Sequence, residues 1–337
     1  MKRFVASLVL PAFLLACGSG SNPFDQGLSG VAPGLPPAPP AGPPAGIPAS
    51  ISNDLTQVTF DSATNTLVVD SLTLDNVPLR AVYARRPNLD TNGYLAFTAQ
   101  NDGLDRHSTA YFGRSNNDQS VRAGVAATGG PRNRFFSGAF YERDGLYTPP
   151  PVTPTSGLVS YSGNYVGLIN IGFIDRGGAR DDLIAPPGGT TIELTPDQAM
   201  TVQGNVFINA DFADNQIEGN ITNRTVVDNT PGLPAGTVLP SLVLISTDIN
   251  ADGSFAGSVE YDAIIVGNEA LNNPIGDFGG ILGGPNASGL AGAIALNEFD
   301  GINDPLGLEG EREFGIFVLD QCGQPVEDTV GCQGTNP

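Results

Sequence analysis

Short runs with an apolar side chain at every second residue recur along this chain, each bounded by a turn signal. They include Gln57-Val58-Thr59-Phe60, Thr66-Leu67-Val68-Val69, Tyr94-Leu95-Ala96-Phe97, Asn205-Val206-Phe207-Ile208, Ser241-Leu242-Val243-Leu244-Ile245 and Phe314-Gly315-Ile316-Phe317-Val318. Between them stand Thr64-Asn65, Asn92-Gly93, Asp102-Gly103, Asp144-Gly145 and Asp252-Gly253. A period of two puts alternate side chains on opposite faces of a strand, and Asn or Asp before Gly supplies the positive φ of a tight hairpin. No stretch sustains a helical period for three turns, although Thr195 to Met200 has room for one turn. The reading is all-β.

The run Thr148-Pro149-Pro150-Pro151-Val152-Thr153-Pro154 interrupts the pattern. Proline in series cannot sit in a central strand, so 149–156 reads as a linker. It divides a β-rich unit at 51–148 from a larger one at 157–320, each long enough for its own core, with a tail at 321–337.

The N-terminus is of a different kind. Lys2 and Arg3 precede an apolar run from Phe4 to Ala16, which ends in Leu14-Leu15-Ala16-Cys17-Gly18. A short positive region, an apolar stretch too short to span a bilayer and small residues at a cleavage point form a secretory signal, here 1–16. The last residues resemble the lipobox of bacterial lipoproteins, which implies that Cys17 is acylated and becomes residue one. Acyl chains buried at ~0.8 kcal/mol per CH₂ would then hold the protein to a bilayer. Gly18 stands where an inner-membrane retention signal carries Asp, so the resemblance implies the outer membrane. From Cys17 to Ser50 the chain is rich in Gly, Ser, Pro and Ala, including Pro36-Pro37-Ala38-Pro39-Pro40. Such a segment is expected to be a disordered stalk, reaching up to ~100 Å at about 3 Å per residue.

Charge and cysteine usage agree with export. The chain holds 15 basic and 35 acidic residues, for a net −20. Without Lys2 and Arg3 the balance is 13 to 35, or −22. That surface repels phosphate backbones, so nucleic acid is not an expected partner. Beyond Cys17 there remain Cys322 and Cys332, and in an oxidising compartment such a pair is expected to close a C-terminal disulfide loop.

The larger unit repeats glycine around aromatic residues. Tyr161-Ser162-Gly163-Asn164-Tyr165-Val166-Gly167 opens it, and Gly253-Ser254-Phe255-Ala256-Gly257 and Gly276-Asp277-Phe278-Gly279-Gly280 restate it. Glycines beside the ring are read as stripping one face of the strand while the ring points to the other. That would suit a tightly curved barrel whose interior the rings fill. Together with Ile217-Glu218-Gly219-Asn220-Ile221, Ile281 to Ala287, Leu290-Ala291-Gly292 and Glu313-Phe314-Gly315-Ile316-Phe317, this succession resembles the barrel domain of transferrin-binding protein B-like surface lipoproteins. The resemblance runs from Tyr161 to Val318, and the preceding unit is similar to the family's smaller "handle". It implies an eight-stranded antiparallel barrel behind a handle, a lipid anchor, often a dedicated outer-membrane translocator, and a binding role. Two departures leave the ligand open: Ser288-Gly289 occupies a segment where the family places a glutamate, and handle and barrel occur once rather than twice.

Few residues offer chemistry. Asp248-Ile249-Asn250-Ala251-Asp252-Gly253 matches the first half of a calcium loop. Its twelfth position, however, is Val259, with Glu260 one place late, and a hairpin turn accounts for the same residues. His107 is the only histidine, in no nucleophile context, and is expected at the surface or in a turn. With one histidine and no G-x-S-x-G elbow, neither zinc nor nucleophilic catalysis has its parts, and no cofactor is expected. Arg132, Arg134 and Arg143 lie near Phe135, Phe136, Phe140 and Tyr141, the arginine-aromatic composition of a partner site. The leading expectation is a non-enzymatic outer-membrane or cell-surface lipoprotein that binds a protein or small solute. An exported hydrolase using paired carboxylates and a structural envelope component are the alternatives.

Overall fold

The computed structural model describes residues 46–72, 78–129, 135–153, 156–173, 177–230, 232–262, 273–299, 310–328 and 330–333. The expected signal, Cys17 and nearly all of the expected stalk lie outside these residues.

Two β-bodies follow one another. In the first, β1 (Leu55–Asp61), β2 (Thr66–Leu72), β3 (Pro78–Arg85), β4 (Leu95–Ala99), β5 (Ser108–Arg114), β6 (Val121–Thr128) and β7 (Ser137–Arg143) form a seven-stranded antiparallel meander. In the second, β8 (Leu158–Phe173), β9 (Gln198–Asp211), β10 (Gln216–Val226), β11 (Leu242–Asp248), β12 (Ser254–Tyr261), β13 (Gly276–Gly283), β14 (Gly289–Leu296) and β15 (Glu313–Gln321) close into an eight-stranded antiparallel barrel, β15 pairing with β8. The fold is all-β, a handle-like sheet before a barrel, as expected. Tight turns sit where the dipeptides placed them: Asn92 and Gly93 have φ of 53° and 86°, and Gly253 has φ of 81°.

The glycine–aromatic pattern works differently from its sequence reading. Residues two apart share a face, so the glycines at ±2 lie on the ring's own face, inside the barrel. Gly257, Gly280 and Gly292 each leave room for a ring from the neighbouring strand. Phe255 pairs with Gly280, Phe278 with Gly257 and Phe317 with Gly292. A Cβ added at Gly280 would lie 2.2 Å from the Phe255 ring, and one at Gly292 would lie 2.4 Å from that of Phe317. The rings do fill the interior, but over cross-strand glycines that pin the register.

Strand β14 explains how the bodies join. Gly289–Leu296 is buried at every position. Leu290, Ile294 and Leu296 point into the barrel, while Ala291, Ala293 and Ala295 face the handle with Val166, Leu168, Phe314 and Ile316. Alanine on the outer face lets the handle sheet approach closely, so the handle's core continues onto the outer wall of the barrel, apart from the cluster inside it. The ordered body also reaches back past the expected boundary at Ile51. Ile47 and Ile51 are buried beside a short helix, α1 (Ala49–Ser52), which packs between β7 and the barrel.

One smaller expectation is corrected. Thr195 to Met200 forms no helical turn; a short turn of helix lies just before it, at Ile192–Leu194. Thr195 precedes Pro196 and is extended (φ −75°, ψ 125°), and Gln198 already opens β9. The residues that open the 149–156 linker lie against the barrel. Ala287 N donates to Thr148 O (2.9 Å), Thr148 N to Gly284 O (3.2 Å), and Pro150 and Pro151 line a groove beside Leu158 and Cys322.

Candidate binding face

The two ends of the barrel are unequal. At one end the strands are joined by the short turns 212–215, 249–253 and 284–288. At the other, the strands are joined by four long connections: 174–197, 227–241, 262–275 and 297–312. Long loops on a rigid scaffold are where binding residues concentrate. The handle adds its own connections here, since Thr98 at the end of β4 and His107 before β5 contact Asp182, and Gly129 abuts the Asp197 backbone.

Buried ion pairs hold this loop end from beneath. Arg180 donates to Asp228 (2.6 Å), Tyr111 (3.0 Å) and Thr91 (3.2 Å), and Asp228 also accepts from Thr201 N (2.7 Å). One pair thus joins two barrel loops to the handle. Burial alone would depress the Arg180 pKa, but Tyr111 and Asp228 outweigh it and keep it above its ordinary value.

Two residues on, Asp182 accepts from Arg86 Nε (2.7 Å), Thr98 (2.5 Å) and His107 Nε2 (3.3 Å). Burial pushes its pKa up, yet the His107 and Thr98 hydrogen bonds and the Arg86 charge hold it below the usual carboxylate range. With Gln100 accepting from Ile184 N (2.8 Å), residues 177–197 form a strap across the handle.

A third pair lies wholly inside the barrel, where Arg224 and Glu313 are both 0% exposed. Arg224 donates to Glu313 and to the carbonyls of Pro240 (2.6 Å) and Phe299, fixing the roots of two loops, and Tyr165 donates to the other Glu313 oxygen. Around these residues 31 buried side chains from Val159 to Leu319 fill the barrel, which makes it a packed body and not a container. Above the anchors, aliphatic side chains stand in water: Leu104 (52% exposed), Ile184, Ile192 (63%), Leu194 and Val238 (74%).

The residues singled out in the sequence fall elsewhere or apart. His107 is not a surface residue but fully buried. Its Nε2 faces the distant Asp182, and the neighbouring Thr109 Oγ1 lies 3.4 Å from its Nδ1, so polar partners offset the cost of burying it. Arg132 and Arg134 lie outside the described residues. Phe135 packs against the handle core, and Phe136 lies under the Arg106 guanidinium at 5.2 Å. Arg143 is separated from them by the length of β7, about 20 Å. It clasps the barrel's short-turn end instead, donating to Asp252 O (2.7 Å) and Leu282 O (3.0 Å) over the Tyr147 ring.

The half calcium loop folds as a hairpin turn. Asp252 Oδ1 accepts from Ser254 N (3.0 Å) and Oγ (2.7 Å), Asn250 Nδ2 donates to Ser254 Oγ (3.1 Å), and Asp248 accepts from Gln216. Those Ser254 bonds hold Asp252 below its ordinary pKa, and Val259 points into the core. Cys322 and Cys332 are bonded, with Cα atoms 5.5 Å apart. The strap and the Arg224 pair carry no signal in the sequence, since their partners are tens of residues away.

No protein-family model matches the chain, and no curated protein matches it in sequence. Solved structures of transferrin binding protein B are similar in fold. Intact Ap-TbpB, with N and C lobes, is 10% identical, with a TM-score of 0.37 over 78% of this chain and 54% of that one. A double mutant of the vaccine antigen from Haemophilus parasuis Hp5 is 11% identical, with a TM-score of 0.35 over 76% and 51%. The isotype 1 protein from serogroup B Neisseria meningitidis is 14% identical, with a TM-score of 0.30 over 78% and 51%. The chain spans about half the length of the structures it matches.

Proposed function

We propose that this chain is a non-enzymatic lipoprotein of the outer membrane or cell surface, of the transferrin-binding protein B-like type. In this reading acylated Cys17 is its anchor, an outer-membrane translocator carries it, and the barrel's loop end binds a partner protein. The observation that carries the reading is the construction of that end. Its loops are long, and among the described residues 177–197 and 227–241 are pinned from below by Arg180–Asp228, Asp182–Arg86 and Arg224–Glu313 and present exposed aliphatic side chains. Preordered loops with apolar tips lower the entropy cost of association, the main debit in binding. The packed barrel favours a protein held on the surface over a solute held inside. The hydrolase alternative is less well supported, because Asp182, Asp228 and Glu313 are each committed to a guanidinium.

A photo-crosslinking amino acid placed at Ile192, on the strap, tests this against the same group at Asp214 in a short turn. Illumination of producing cells should trap one discrete protein adduct at position 192 and none at 214. Equal adducts at both positions, or none at 192, would remove the loop end from consideration.

A further inference from the structure

The outer barrel wall at β9 and β10 carries an unexpected aromatic ring, beside the handle turn whose Asn92 Nδ2 donates to Gly204 O (2.7 Å). On β9 the inward side chains Val206, Ile208 and Ala210 belong to the barrel core, and the outward ones are Gln203, Asn205, Phe207, Asn209 and Asp211. A ring at an outward position is not needed to close the barrel. Phe207 lies opposite Asn220 of β10 on one side and Ser162 of β8 on the other. Directly paired Cβ atoms lie about 5 Å apart, and Asn205 and Asn209 share the ring's face about 7 Å along the strand.

These amides are ordered. Asn223 Nδ2 donates to Asn205 Oδ1 (3.1 Å), Asn205 Nδ2 to Asn164 Oδ1 (3.5 Å), and Ser160 Oγ to Asn209 Oδ1 (2.7 Å). Asn220 is exposed, and its side-chain amide has no partner among the described residues. In a chain of net charge −20, the strip from Gln203 to Asn209 with Asn220 and Asn223 bears no charge of its own; Asp211, Glu218 (opposite Asn209) and Asp328 (bonded to Ser162) border it.

A partly exposed ring flanked by amides that both donate and accept matches the two sides of a sugar ring. The C–H face of a pyranose lies against an aromatic ring, and its hydroxyls reach the amides. An acidic polymer would be repelled by the rest of the surface, whereas a neutral one would not. We propose that the outer wall of β9 and β10 binds a neutral polysaccharide chain, with Phe207 as the stacking platform and Asn205, Asn209 and Asn220 as hydroxyl partners. This site is independent of the loop end.

The test is co-sedimentation of the mature chain, kept soluble by Cys17→Ser, with insoluble chitin, cellulose and cross-linked amylose. The chain should pellet with at least one of them. Phe207→Ala should lower the pelleted fraction at least tenfold at an unchanged melting temperature, and Phe207→Tyr should retain it. Should Phe207→Ala fold poorly, Asn220→Asp places a charge on the exposed strip without touching the core and should likewise abolish pelleting. Failure to pellet with all three glycans, or equal pelleting by a folded variant, would overturn the proposal. Retention on sulfated heparin alone would overturn it as well.

Discussion

At the scale of single residues, the Arg224–Glu313 pair is the most consequential contact in the barrel. Both side chains are shut off from water, so each depends on the other for compensation of its charge. Arg224 reaches the interior because β10 has a register break between Thr222 and Thr225, where Asn223 takes φ of 53°. Glu313→Ala should cost about 3–5 kcal/mol in denaturant unfolding, because it strands a buried guanidinium. Arg224→Met combined with Glu313→Leu should recover most of that loss. A single variant within 1 kcal/mol of the parent would show that the pair is wet or flexible. Nothing local in Asn223-Arg224-Thr225 announces this role, since an arginine between polar residues reads as a surface position.

At the scale of elements, the strands were legible and the strap was not. Period two and the Asn-Gly and Asp-Gly turns are local signals, and they located the hairpins. The strap's contacts join residues far apart in sequence, as Asp182 to Arg86 and Thr98 or Arg180 to Tyr111. Burial of His107 was misjudged for the same reason: its partner arrives from another body. The glycine–aromatic motif was found, but its faces were assigned wrongly, because the ring over each glycine comes from the adjacent strand.

The strap also makes stability depend on pH. The Asp182 carboxyl is held below its unfolded value of about 3.9, so its stabilisation is full above that value and is lost as pH falls through the lower folded one. Asp182→Asn should cost about 2 kcal/mol at neutral pH, the scale of a charged hydrogen bond. It should also flatten the fall in urea midpoint between about pH 5 and pH 2. An unchanged slope would mean that the strap is not fastened through this carboxylate.

At the scale of the whole molecule, handle and barrel behave as one construction. The alanine face of β14, the Arg143 clasp and the strap tie the sheet to the barrel wall. The order of handle and barrel was legible because the proline run separates two strand-rich stretches. The docking of one on the other was not, since alternating alanine in Gly289–Leu296 fits a solvent-facing strand equally well.

The central claim is that this body stands outside the cell on a lipid anchor. Protease shaving of intact cells, with detection of the body from residue 51 onward, tests it directly. The account predicts that the body disappears from intact cells and that a Cys17→Ser variant is no longer retained in the membrane fraction. Full protection of the body until the outer membrane is opened would contradict it.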